Sequence, residues 1–211
     1  MKKIPTLFER TFDGHKIVDI KPVVTPGLNY ILSGAGTATV KWDGSCVMIK
    51  NGRLYKRYDA KKGKTPPSGA IPCCDPDPVT GHWPHWVKVD ANNNSDKWYC
   101  VAADNFRYNG RYCSGIPESG SDRCLIDGTY EAVGPKFQGN PYDFAMNTLI
   151  RHGEYEIPEL NNGPRTFESI RDYLKTHCIE GIVFWDMGAP VCKIKRSDFG
   201  FAWPAKGDEN G

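Results

Sequence analysis

The sequence predicts an antiparallel α+β fold, and three observations carry that expectation. Short β-rich runs recur along most of the chain, 22 glycines and 16 prolines punctuate it, and strand–helix–strand alternation is rare. CVMIK-NG-RLYKRY reads as a hairpin, two alternating runs joined by Asn51-Gly52, a pair suited to a two-residue type I′ turn. Lys41 stands at the lip of this hairpin and is read as beginning it. Residues 60–97 follow as a long, proline-rich surface excursion, ordered in part by Trp83 and Trp86. Strands are expected to resume at WYCVAA, then at LIDGTYEAVG, IEGIVFWD and PVCKIKR. Two helices interrupt them. NPYDFAMNTLI has Asn140 as N-cap, Pro141 in the first turn and Gly153 past the end. TFESIRDYLKTH has Thr166 as N-cap and places Phe167, Ile170 and Leu174 on one face.

At 211 residues the length favours one domain, taken here as residues 1–211 with the excursion at about 60–97 inside it. The basic tip of MKKIPTLFER is followed by Pro5 and Glu9, too short and polar a run for a secretory leader. No window has the apolar length of a membrane span. With no leader and no span expected, the eight cysteines are expected to be reduced and the protein cytoplasmic; none forms a C-x-x-C pair of the kind zinc scaffolds use. A zinc site using Cys100, Cys113 or Cys124 with His82 or His85 is the alternative to buried, inert thiols. The net charge of +2 does not by itself announce a polyanion, so an anion site has to come from local clustering.

Such clustering surrounds Lys41. Taken alone, K-x-D-G is an ordinary turn with a solvated lysine. Yet Arg57 lies in KRYD, Glu131 in TYEAVG, Glu180 opens EGIVF, and Lys193 and Lys195 share one strand face in CKIK. KWDGS, KRYD, TYEAVG, EGIVF and CKIK, in that order, resemble the signatures of the covalent nucleotidyltransferase superfamily of ATP-dependent ligases and RNA capping enzymes. The likeness covers roughly residues 37–200, and it is the set that is specific. GHWPHWVKV, NNNSDKWYC, GNPYDF, LIRHGEYEIPEL and KRSDFGFAWP further resemble the small 5′-to-3′ RNA ligase family known from vertebrates.

The resemblance implies an antiparallel, ATP-grasp-like adenylation domain. It also implies three steps: a lysine attacks the α-phosphorus of ATP, the AMP passes to an RNA 5′-phosphate, and a 3′-hydroxyl displaces it. Lys41 would be the nucleophile. A free lysine, with a pKa of about 10.4, is neutral about once in a few thousand molecules at pH 7. Lowering that value to roughly 7–8 recovers on the order of a hundredfold in reactive amine. Lys193, Lys195 and a bound cation are expected to help by disfavouring a further ammonium. Lys193 and Lys195 would also neutralise the α-phosphate. Glu180 would hold magnesium, with manganese as an alternative. Glu131 and Arg57 would position the ribose and sugar-phosphate edge. Asp43 and Gly44 would shape the turn presenting Lys41, and His152 and Tyr155 are candidates for contact with adenine.

From Lys50 through Lys64 there are seven basic residues and one acid, Asp59. The bland reading is a solvated edge that discourages strand pairing. With Tyr55 and Tyr58 interleaved, the run is also suited to tracking RNA phosphates while stacking bases. Sixteen residues follow Lys195, too few for the OB-fold that DNA ligases and capping enzymes of the superfamily add there. The expected partner is therefore RNA with 5′-phosphate and 3′-hydroxyl ends, with no membrane and no obligate protein partner. A capping-type guanylyltransferase and a catalytically inactive RNA-binding module are the competing readings.

Overall fold

The computed structural model describes residues 3–14, 16–108 and 126–204. Its strands are β1 (Phe8–Asp13), β2 (Lys16–Val24), β3 (Thr37–Lys41), β4 (Ser45–Lys50), β5 (Arg53–Ala60), β6 (Ile71–Pro72), β7 (Trp83–Lys88), β8 (Gly128–Val133), β9 (Thr148–Arg151), β10 (Gly181–Asp186) and β11 (Ala189–Lys195). The helices are α1 (Asn29–Leu32), α2 (Lys97–Tyr108), α3 (Pro158–Asn161) and α4 (Phe167–Thr176). The named strands all pair antiparallel, as the α+β reading expects. The chain forms two compact units. One is Asp43–His152; the other combines Lys3–Trp42 with the chain from Gly153 onward.

The Asp43–His152 unit is built on a six-stranded sheet in the order β6-β7-β5-β4-β8-β9. Successive side chains alternate between faces, and one face is apolar. Val47, Ile49, Tyr130, Ala132 and Leu149 are buried there, in one cluster with Ala102 and Ala103 of α2. The hairpin holds as expected: Lys50 pairs Arg53 across Asn51 (φ 51°) and Gly52 (φ 67°), both in the left-handed region a type I′ turn requires. Part of the 60–97 excursion is sheet, because β6 and β7 extend it beyond β5.

Three expectations are corrected. WYCVAA is not a strand but the first half of α2. Trp98, Ala102 and Phe106 recur at helical spacing, and the short apolar run alone did not distinguish the two periods. NPYDFAMNTLI is not a helix. Asn140 (φ 56°) uses its amide to bond both the N–H and the C=O of Phe144, which closes a turn in place of a cap. The Thr148–Arg151 end of that run pairs with β8. Lys41, finally, does not begin the β4–β5 hairpin: it ends β3, which pairs with β10 in a different sheet.

The second unit contains that sheet, ordered β11-β10-β3, and the β1–β2 hairpin. Ala38, Ile182, Phe184, Cys192 and Ile194 alternate onto one face and are fully buried with Leu7, Ile31, Ile170 and Leu174. Helix α4 has its expected cap. Thr166 Oγ1 accepts from Ser169 N (3.1 Å), and Ser169 Oγ accepts from Thr166 N (2.9 Å). Burying Ile170 and Leu174 stabilises the helix on this core by about 1.5–3 kcal/mol each. Arg165, buried beside them, donates to the carbonyls of Leu160, Ala35 and Gly36.

Candidate functional site

The same alternation that buries one face of the β11-β10-β3 sheet sends Lys41, Lys193 and Lys195 to the other. Lys41 pairs Gly181, Gly181 pairs Lys195, and Val183 pairs Lys193, so the three lysines share a face across neighbouring strands. Glu180 immediately precedes β10, and its carboxylate bridges two of them. Oε2 accepts from Lys41 Nζ in a short contact, and Oε1 lies 2.5 Å from Lys195 Nζ. The Glu180 side chain is only 7% exposed, and the two ammonium groups offset the cost of burying a carboxylate.

Gly181 makes the bridge sterically feasible. A Cβ there would lie 2.3 Å from the Ile194 carbonyl oxygen and 3.0 Å from Lys195 Cα. The missing side chain lets the strand that carries Glu180 approach β11 closely. Lys193 is held by its backbone as well: its N–H donates to Pro5 O (3.0 Å) and its C=O accepts from Leu7 N (2.8 Å). Burial, then the charges of Lys41, Lys195 and Arg10, lowers the Lys193 pKa to about 8. Asp198 fixes the end of β11, accepting from Lys195 N (2.8 Å) and from Arg10 (2.8 Å). Tyr155 belongs to this unit too and packs edge-on against Trp42 at 5.3 Å.

The remaining candidates lie in the Asp43–His152 unit, on the face of its sheet opposite the core. Cys46 of β4 stands directly opposite Glu131 of β8, and Thr129 is two residues before Glu131. His152, just past β9, donates its backbone N–H to Thr129 O (3.1 Å). Its Nδ1 lies 3.0 Å from Thr129 Oγ1 and its Nε2 2.9 Å from Glu131 Oε2. Arg57 is paired with Asp59 on the same strand at 2.9 Å. Burial, then the Glu131 carboxylate, pushes the Cys46 thiol up to about 12, which makes it a poor nucleophile. Asp43 donates its N–H to Tyr142 Oη (2.7 Å). Gly44 acts through close approach: a Cβ would lie 2.2 Å from Ala132 O and 3.0 Å from Glu131 Cγ.

The structure thus brings Lys41, Glu180, Lys193 and Lys195 together in one unit, and Glu131 with His152 in the other. The sequence reading missed Cys46, Thr129, Tyr142 and Gly181. Of these only Gly181 had a local signal, its place directly after Glu180. Among the described residues, Cys46, Glu131 and His152 form a group of possible metal-ligand atoms lying within 4.8 Å of one another. This is not the zinc set the sequence offered as an alternative. Of that set, Cys113 and Cys124 lie outside the described residues, and His85 Nδ1 is 2.8 Å from Trp83 O. Lys56 is paired with Asp96, whereas Lys61, Lys62 and Lys64 are exposed. Among the described residues no helix is long and apolar enough to cross a membrane.

No family model matches the chain. It is similar to proteins named RNA ligase 1, at 31% identity over 147 residues in Pongo abelii, 28% over 145 in Danio rerio and 27% over 149 in Rattus norvegicus. Each match takes in 59% of this chain and 42% of the relative, so the chain spans about two fifths of the relatives' length. These similarities support an RNA-ligase-like relationship.

Proposed function

We propose that the chain is an ATP-dependent RNA ligase that joins 5′-phosphate and 3′-hydroxyl ends through AMP carried on Lys41. The observation that carries this reading is the shared face of Lys41, Lys193 and Lys195 around the buried carboxylate of Glu180. Three ammonium groups at one place exceed what Glu180 balances, and a polyanionic phosphate supplies the missing charge. The similarity to proteins named RNA ligase 1 points to RNA as the polymer.

On this reading the amine of Lys41 must leave Glu180 and lose a proton to solvent before it attacks. Its nitrogen then bonds to the α-phosphorus, and the bond from phosphorus to pyrophosphate breaks. Lys193 and Lys195 hold the phosphate oxygens while charge shifts onto the leaving group. Glu180, once released by Lys41, offers one carboxylate. That suits magnesium, which binds through one or two carboxylates and fills its remaining positions with waters and substrate phosphates. Its chemistry there would be charge neutralisation. Glu131, His152 and Arg57 would serve the ribose and base. The exposed lysines at 61, 62 and 64 would follow the RNA backbone.

The test is intact-mass measurement after incubation with ATP and magnesium. A gain of one AMP, absent in Lys41→Ala, is expected; the same protein given GTP should stay unmodified. A GMP adduct would favour the capping reaction. The absence of an adduct with either nucleotide would favour an inactive RNA-binding module.

A further inference from the structure

We propose that Cys46, Glu131 and His152 form an exchangeable binding site for a borderline-soft divalent cation of the zinc class. Three features of the sheet support this. First, the ligands are placed by the strand ladder: Cys46 and Glu131 are direct cross-strand partners, whose side chains leave the same face side by side. His152 is brought to that face by the bond from its N–H to Thr129 O. The thiol, a carboxylate oxygen and an imidazole nitrogen consequently converge within 4.8 Å. That spacing lets them close on one ion at the ordinary ligand distances of about 2.0–2.3 Å.

Second, the donor set selects the metal. One sulfur, one nitrogen and one oxygen suit zinc or cobalt and suit magnesium poorly, since magnesium demands oxygen ligands in octahedral array. Three protein ligands also leave the fourth tetrahedral position for water or an exchangeable group, unlike the closed four-ligand sites that only support a fold.

Third, the imidazole already has an outer partner. To ligate through Nε2, His152 must carry its proton on Nδ1, and Thr129 Oγ1 stands 3.0 Å from Nδ1 to accept it. The proton count balances. Binding forms a metal–sulfur bond and releases the thiol proton of Cys46 to solvent. A ring proton carried on Nε2 shifts to Nδ1 on binding, with no net change in the count. The two negative ligands then match the two charges of the ion, so one net proton is released and affinity rises with pH.

If the nucleotide uses Glu131 and His152, as the ligase reading has it, cation and nucleotide exclude one another. This corollary rests on that reading; the binding site does not, and its test contains no nucleotide. The full chain, stripped of metal by chelation, is titrated with Co2+ and followed by absorption. A thiolate-to-cobalt charge-transfer band saturating at one equivalent is expected, insensitive to excess Mg2+. Cys46→Ala should remove it and His152→Gln should weaken binding by more than about 100-fold. Thr129→Val, which removes the hydroxyl 3.0 Å from Nδ1, should cost roughly 10–100-fold. The Cys73→Ala/Cys74→Ala/Cys100→Ala variant should keep the band. A wild-type titration without the band, or a band unchanged in Cys46→Ala or in His152→Gln, overturns the proposal. Should Cys46→Ala lose its circular dichroism, His152→Gln at the sheet end decides alone.

Discussion

The two units solve the same geometric problem with opposite chemistry. Each has a sheet with one apolar face buried and chemical groups on the other, yet those groups differ in kind. On the β11-β10-β3 sheet three lysines surround one glutamate, an excess of positive charge in a half-buried place. On the six-stranded sheet a thiol, a carboxylate and an imidazole meet, and the nearby Arg57 is taken up by Asp59. A surplus of ammonium groups is of use to a phosphate. The mixed set is suited to sugar hydroxyls or to a metal. The difference shows that a sheet supplies only spacing and direction, and that the residues on its free face decide what is bound.

Substitutions can break this contrast, and the largest effect is expected at Glu180. Glu180→Gln leaves Lys41 and Lys195 without their counter-charge, and AMP loading measured by mass should fall by at least about 100-fold. Normal loading in that variant would remove the glutamate from the proposed chemistry. Next comes Gly181→Ala. Its new methyl would meet the Ile194 carbonyl at 2.3 Å, so urea unfolding should show a loss of about 1–3 kcal/mol, with reduced loading. An unchanged midpoint would mean that the strands yield without cost.

Lys193 offers a test with a sign. Its folded pKa of about 8 lies below the ordinary value of 10.5. Between those two values the unfolded chain binds more protons, so stability rises with pH through that window. The penalty is present in full below about pH 8 and is gone above about 10.5. Lys193→Met should therefore stabilise the fold at pH 7 by about 1–3 kcal/mol, and the gain over wild type should vanish toward pH 10.5. The same variant should lose AMP loading, separating stability from function. The mildest change is Lys61→Gln with Lys62→Gln and Lys64→Gln. It should weaken single-stranded RNA binding and lower the salt slope by about 0.7 per lysine, leaving AMP loading intact.

Much of this was readable because alternation and turn chemistry are local. The Asn51-Gly52 hairpin, the Thr166 cap and the strands around Glu131, Glu180 and Lys193 need only neighbouring residues to be recognised. Local reading failed where tertiary context chose between periods. WYCVAA became helix because Ala102 and Ala103 pack under the sheet. Asn140 closed a turn where an N-cap was expected. The partner of Lys41 was beyond reach for another reason: β10 lies about 140 residues further along, and Gly181 matters only because Ile194 presses against it. Cys46 went unnoticed since a cross-strand register decides its neighbour, and no spacing in the chain encodes that register.

The path of the backbone has a consequence for how such a molecule can be cut. Where the chain leaves the second unit after Trp42 and re-enters it at Gly153, the two loose ends are stitched to each other, Val40 N–H to Tyr155 O at 2.8 Å. At the excised segment's own ends, Gly44 abuts Glu131, which bonds His152. The span 43–152 therefore behaves topologically as a cassette, and a short splice from residue 42 to residue 153 would bridge the gap it leaves.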